Sequence, residues 1–149
     1  MFGKKREYRK LSDRIGQEIH RQLRQALKEK PSLLGTASEM AFTAGYLKSF
    51  TLVGFSAIGC PDIDTHMEYI KHFCNGVLPS RLWDVVQRGE ALNSLSQDGE
   101  REEFKRTRES YALGAEAGIS DGGEFFDNGV QPNKFGYFLI KGSIESLNA

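Results

Sequence analysis

From Leu33 to Gly59 the chain runs for 27 residues with only two charged side chains, Glu39 and Lys48. Such a segment must be covered, either by the rest of the chain or by lipid, because exposed apolar surface is costly in water. It is long enough to span a bilayer, for which about 20 apolar residues suffice. Lys48 near its middle, Glu39 near its start and its many Ser, Thr and Gly residues argue against that, since a charge at mid-span costs several kcal/mol. The segment therefore reads as a core helix over residues 33–59.

Two patterns coexist in it. Met40, Leu47, Phe50, Val53 and Phe55 supply bulk, while Ala37, Ala41, Gly45, Ser49, Val53 and Ala57 recur every fourth residue. Residues four apart are neighbours on a helix, so the second set forms a slanting ridge of mostly small side chains. Far downstream, Gly114, Gly118 and Gly122 repeat the spacing. An interior glycine costs a helix about 0.8–1 kcal/mol relative to alanine. Three in a row either end the helix early or are compensated by close approach of another backbone. The second alternative makes the Tyr111–Gly122 helix cross the central one, small ridge against small ridge.

The other helices are read from their periodicity and breakers. Leu11, Ile15, Ile19, Leu23 and Leu27, widened by Tyr8 and Ala26, form a stripe that drifts by about 40° per step and wraps the cylinder. Lys30-Pro31-Ser32 ends that helix. Pro61, Asp62 and Asp64 open another, closed near Asn75-Gly76. Pro79-Ser80 opens a third, with Leu82, Val85, Val86, Leu92 and Leu95 as its buried face and Trp83 offset from it. Ser96-Gln97-Asp98-Gly99 is a turn, with Asp98 as N-cap of the next helix, solvated in its first half and packed in its second. Residues 121–134, rich in turn formers, read as a loop pinned by Phe125 and Phe126. Phe135–Lys141 could form a short C-terminal strand by aromatic content, but the stripe Tyr137, Ile140, Ile144 and Leu147 and the want of a pairing strand favour a helix or an irregular packed tail. The expectation is a mainly α chain, residues 1–149 forming a single-domain bundle of five or six helices.

Charge is where the sequence speaks to function. The chain is neutral overall, yet residues 1–30 hold ten Lys or Arg against four Asp or Glu, a net of +6 that leaves −6 for the remainder. Such asymmetry points to an anionic partner, or to a basic helix lying over acidic surface of its own chain or of a sister subunit. Lys10, Arg14, Arg21, Arg24 and Lys28 are the candidate partner-binding cations, with Trp83 as a candidate interface anchor. Phe2 and Tyr8 are the only aromatic residues among the basic ones, few for stacking on bases.

Chemistry-bearing motifs are sparse. Asp62, Asp64, His66, Glu68, His72 and Cys74 include the ligand types for zinc or iron, but His66 and His72 are six apart, near opposite sides of a helix. No Gly-x-Ser-x-Gly elbow occurs, and Gly114–Gly123 lacks the Lys-Ser/Thr ending of a phosphate loop. Cys60 and Cys74 suggest no disulfide framework and read as buried thiols. The N-terminus lacks the apolar run of a signal peptide, which gives a cytoplasmic expectation. The reading is a non-enzymatic interaction protein, such as an adaptor, assembly subunit or inhibitor, with no cofactor or metal. It docks on a protein partner through the basic N-terminal helix, with homo-oligomerisation open. The second reading is a nucleic-acid binder using that helix, and the third a small metal-dependent enzyme around Asp62–Cys74.

Overall fold

The computed structural model describes residues 2–31, 33–60, 62–76 and 82–142. They form six helices: α1 (Phe2–Glu29), α2 (Ala37–Ala57), α3 (Ile63–Gly76), α4 (Leu82–Ser96), α5 (Glu102–Asn128) and α6 (Lys134–Lys141). The mainly α bundle expected from the sequence is what forms. None of these helices is long and apolar enough to cross a membrane. The openings assigned to Pro61 and to Pro79-Ser80, and the stripe members Ile144 and Leu147, lie outside the described residues.

α2 is central and packs against all five other helices. It starts at Ala37 rather than Leu33, because a capping box defines its first turn. Glu39 N–H donates to Thr36 Oγ1 at 3.1 Å and Thr36 N–H to Glu39 Oε1 at 3.2 Å, so two donors that a helix start leaves bare are satisfied reciprocally. Leu33 and Leu34 instead form a packed connection, with Leu34 in the left-handed region at φ 64°.

The small ridges do face each other. A Cβ built on Gly118 would lie 2.5 Å from the Tyr46 carbonyl oxygen, and one on Gly122 would lie 3.0 Å from Val53 Cβ. Gly114 presses on the Phe42 carbonyl and Gly45 on that of Tyr111, so glycines of both helices let two backbones touch. α4 uses the same device where Gly89 meets the Met40 carbonyl, a contact the sequence did not suggest.

The neighbouring ridge of α2 carries rings. Phe42, Tyr46 and Phe50 stand one turn apart and are fully buried. Phe138 stacks on Phe42 at 3.8 Å between centroids, Phe135 on Tyr46 at 5.1 Å, and Phe125 and Phe126 close on Phe50 at 5.9 and 5.3 Å. These contacts correct one expectation and decide another segment. The segment 121–134 is not a loop throughout, because α5 continues to Asn128 and the connection spans only residues 129–133. Its glycines do not break the helix, since Gly122 sits against Val53; the stop is Gly129, at φ 69° with its N–H donating to the Phe125 carbonyl. Residues 134–141 form the favoured helix, and no strand occurs among the described residues.

Smaller corrections concern boundaries and faces. Asp98 does not cap α5, which starts after Arg101. The turn before it is closed by Arg108, which donates to the carbonyls of Ser96 and Gly99. Leu95 is 73% exposed, because the packed face of α4 runs through Leu82, Val85, Val86, Gly89 and Ser96. Leu27 also leaves the α1 stripe, and Ala26 takes its place as the drift of a four-residue repeat requires.

Close packing makes opposite predictions for glycines on one helix. Gly123→Ala, where nothing lies within 4 Å of the added methyl, is expected to stabilise the chain by up to about 1 kcal/mol through helix propensity. Gly114→Ala and Gly118→Ala are expected to destabilise it by about 1–3 kcal/mol through overpacking against α2. Urea-unfolding midpoints check both signs.

Candidate interaction surface

α1 buries Leu11, Ile15, Ile19, Leu23 and Ala26 and turns its cations outward. It rests on α3 and α6, with a smaller contact to α2. On one flank Gly16 meets the Phe73 side chain. On the other, Arg21 donates through Nη2 to the Pro132 carbonyl and, at 3.4 Å, to Asn133 Oδ1. Between these flanks the outer face of α1 forms the floor of an open trough of about 1070 Å³. Gln17, His20, Arg24 and Lys28 lie on that floor, while His72 and Phe73 of α3 and Gln131 of the α5–α6 connection border it.

The candidate cations meet different fates. Lys10 and Lys28 are exposed and make no ion pair with the described residues. Arg24 is exposed and donates to His20 Nε2 at 2.9 Å. A guanidinium can only donate, so the His20 proton belongs on Nδ1, which is buried with no partner among the described residues. Arg14 lies over the rings of Phe125 and Phe126 at 5.0 and 5.8 Å, a cation–π contact that ties α1 to the end of α5. Arg21 is half-buried and committed to the fold through Glu18, at 3.0 Å, and through the residues before α6. Trp83 is half-buried against the core and stands away from the trough lining.

Beneath the trough lies a buried polar network. Gln22 Nε2 donates to Tyr46 Oη at 3.2 Å, and Tyr46 Oη–H donates to Asp121 Oδ2 at 2.6 Å. The same Oδ2 accepts Lys134 N–H at 3.0 Å, and Gln22 Oε1 accepts Gly136 N–H at 2.9 Å. Asn133 gives α6 no side-chain cap, so a glutamine of α1 and an aspartate of α5 satisfy its first turn from outside. Burial, then the nearby Asp121 charge, pushes the Tyr46 phenol well above its ordinary value. Burial also raises the Asp121 carboxyl, against the lowering effect of its hydrogen bonds. Sequence reasoning missed this network, although Gln22 had left a signal as a polar residue inside the α1 stripe.

The residues around Asp62–Cys74 do not converge. His66 is buried and its Nε2–H donates to the Cys60 carbonyl at 2.5 Å, joining the start of α3 to the end of α2. His72 is exposed at the trough border. Burial pushes the Cys74 thiol up to about 12, which leaves little thiolate at neutral pH. The described residues bring no three His, Cys, Asp or Glu side chains into a metal-binding group. Comparison with protein-family models, with characterised proteins and with solved structures gives no match to this chain.

A pH test follows for the network. Because folding raises the Asp121 pKa, its stabilising contribution is full below the ordinary aspartate value of 3.8 and is lost as pH rises through the raised one. Asp121→Asn is therefore expected to gain stability relative to the parent chain as pH increases across that window. Asp121→Ala is expected to lose about 1–3 kcal/mol by stripping partners from Tyr46 and Lys134. Urea unfolding of all three chains from pH 4 to 7 checks this; a pH-independent gap between parent and Asp121→Asn would contradict it.

Proposed function

We propose that this chain is a non-enzymatic interaction protein that receives an acidic segment of a protein partner along the outer face of α1. The observation that carries the reading is that the basic charge of α1 is left uncompensated inside the molecule. Of the ten cations of residues 1–30, only Arg21 and Lys30 have acidic partners among the described residues. Most of the basic excess of residues 1–30 is therefore left without an acidic partner inside the molecule, and the part that Arg24 and Lys28 carry lines the trough between α3 and the α5–α6 connection. An exposed basic surface of this kind speeds encounter with an anionic one and orients it, while contacts at the trough borders lengthen residence.

A protein partner fits better than nucleic acid. Asp13 and Glu29 line the trough together with its cations, which weakens attraction for a uniform polyphosphate and suits carboxylates spaced apart along a protein segment. Phe73 is only 4% exposed and offers no ring face for a base. Trp83 would contribute at a separate point. Two buried free thiols support placing this activity in a reducing cytoplasm.

A photo-crosslinking residue at Gln25, on the trough lining, tests the reading in the native host. The expected product is a crosslink to an acid-rich segment of a protein, reduced about tenfold or more by Arg24→Glu with Lys28→Glu. A crosslink to nucleic acid, or a protein crosslink indifferent to the charge reversal, would contradict it.

A further inference from the structure

The cationic face of α1 has a counterpart on α5. From Glu109 to Asn128 the chain contains no Lys or Arg. Asp121 is buried in the network, and Glu109, Glu116, Glu124 and Asp127 are exposed. None of these four has a cation partner among the described residues; the ion pairs there join Glu18–Arg21, Lys30–Glu39, Lys48–Glu90, Asp84–Arg88 and Arg101–Glu103. At about 100° per residue, Glu109, Glu116 and Asp127 share one outward edge of α5, opposite the face packed on α2. Leu113 and Ile119 flank that edge and are 36% and 54% exposed.

We infer that a second copy of this chain is an occupant of the trough, laying the outer edge of its α5 along α1 in a head-to-tail contact. The inference rests on the reading of α1 as a docking surface and names a partner for it. Glu109 and Glu116 are seven residues apart, about 10.5 Å along the helix. Arg24 and Lys28, one turn or about 6 Å apart on the trough floor, have no acidic partner among the described residues and are the cations left to meet them. Leu113 and Ile119 supply apolar contact that charge pairs alone lack. Overall neutrality means that copies do not repel one another at long range.

One chain cannot satisfy this match by itself. Its α5 is packed on α2 and α4, while α1 rests on α3 and α6, and the acidic edge points away from α2. Because the two faces differ, the contact is heterologous. Each pairing leaves one trough and one acidic edge open, so assembly continues into rings or filaments unless another acidic segment caps it.

The test is sedimentation velocity of the purified full chain at low and high salt over a range of protein concentrations. The parent chain is expected to associate at low salt, with mass rising with concentration, and to dissociate at high salt. Arg24→Glu with Lys28→Glu and, separately, Glu109→Lys with Glu116→Lys are each expected to remain monomeric. All four positions are exposed, and circular dichroism verifies that both variants stay folded. An equimolar mixture of the two is expected to associate again, because each brings the charge the other lacks. A parent chain that is monomeric at low salt, or association that survives either reversal, overturns the inference. If the charge-dependent crosslink at Gln25 persists in that case, the docking role of α1 stands and only self-assembly falls; loss of both sinks the two together.

Discussion

Contact between the backbones of α2 and α5 is the constraint on which the other packing depends. Gly45, Gly114 and Gly118 remove the side chains that would hold the two helices apart. Each glycine costs about 1 kcal/mol of helix propensity, and the loss is offset by dispersion contacts that exist only at this separation. The arrangement is all-or-none. A single methyl at Gly118 meets a carbonyl oxygen that cannot move without disturbing the α2 hydrogen-bond ladder.

The approach of α5 also fixes what lies beside it. It brings Asp121 to Tyr46 and sets Phe125 and Phe126 against Phe50. Asp121 then supplies the cap that α6 lacks, and α6 returns Phe135 and Phe138 to the α2 rings. α1 joins through Gln22, Arg14 and Arg21, each bonded or stacked to residues more than a hundred positions away. Once those side chains are occupied, the cations left outward are the ones available for a partner. The same contacts that secure α1 thus decide which part of its charge is free.

How much of this was legible in the sequence depends on whether a pattern was local. The facing ridges were legible because glycine and alanine at four-residue spacing repeat in two segments, and the basic front because charge is counted without a fold. Asp121-Gly122-Gly123 reads as a turn on composition, yet it is helical because Gly122 meets Val53 from another helix. Phe135–Lys141 is undecided by its own residues, since the donors of its first turn are satisfied by Gln22 and Asp121. Gly89 repeats no pattern, so nothing marked its contact with Met40. Of the candidate cations, Arg21 could not be told apart from Arg24, because what distinguishes them is a carbonyl at Pro132.

The surface reading and the core reading meet at α1, whose inner face is locked to the ring stack while its outer face keeps an uncompensated charge. Native-state hydrogen exchange tests the central claim about the core most directly. Amides of residues 42–50 in α2 and 114–122 in α5 should be the slowest, exchanging only through global unfolding with one shared dependence on urea. If α5 opens in a sub-global step that leaves α2 protected, the two helices are not the single packed unit on which the other contacts depend.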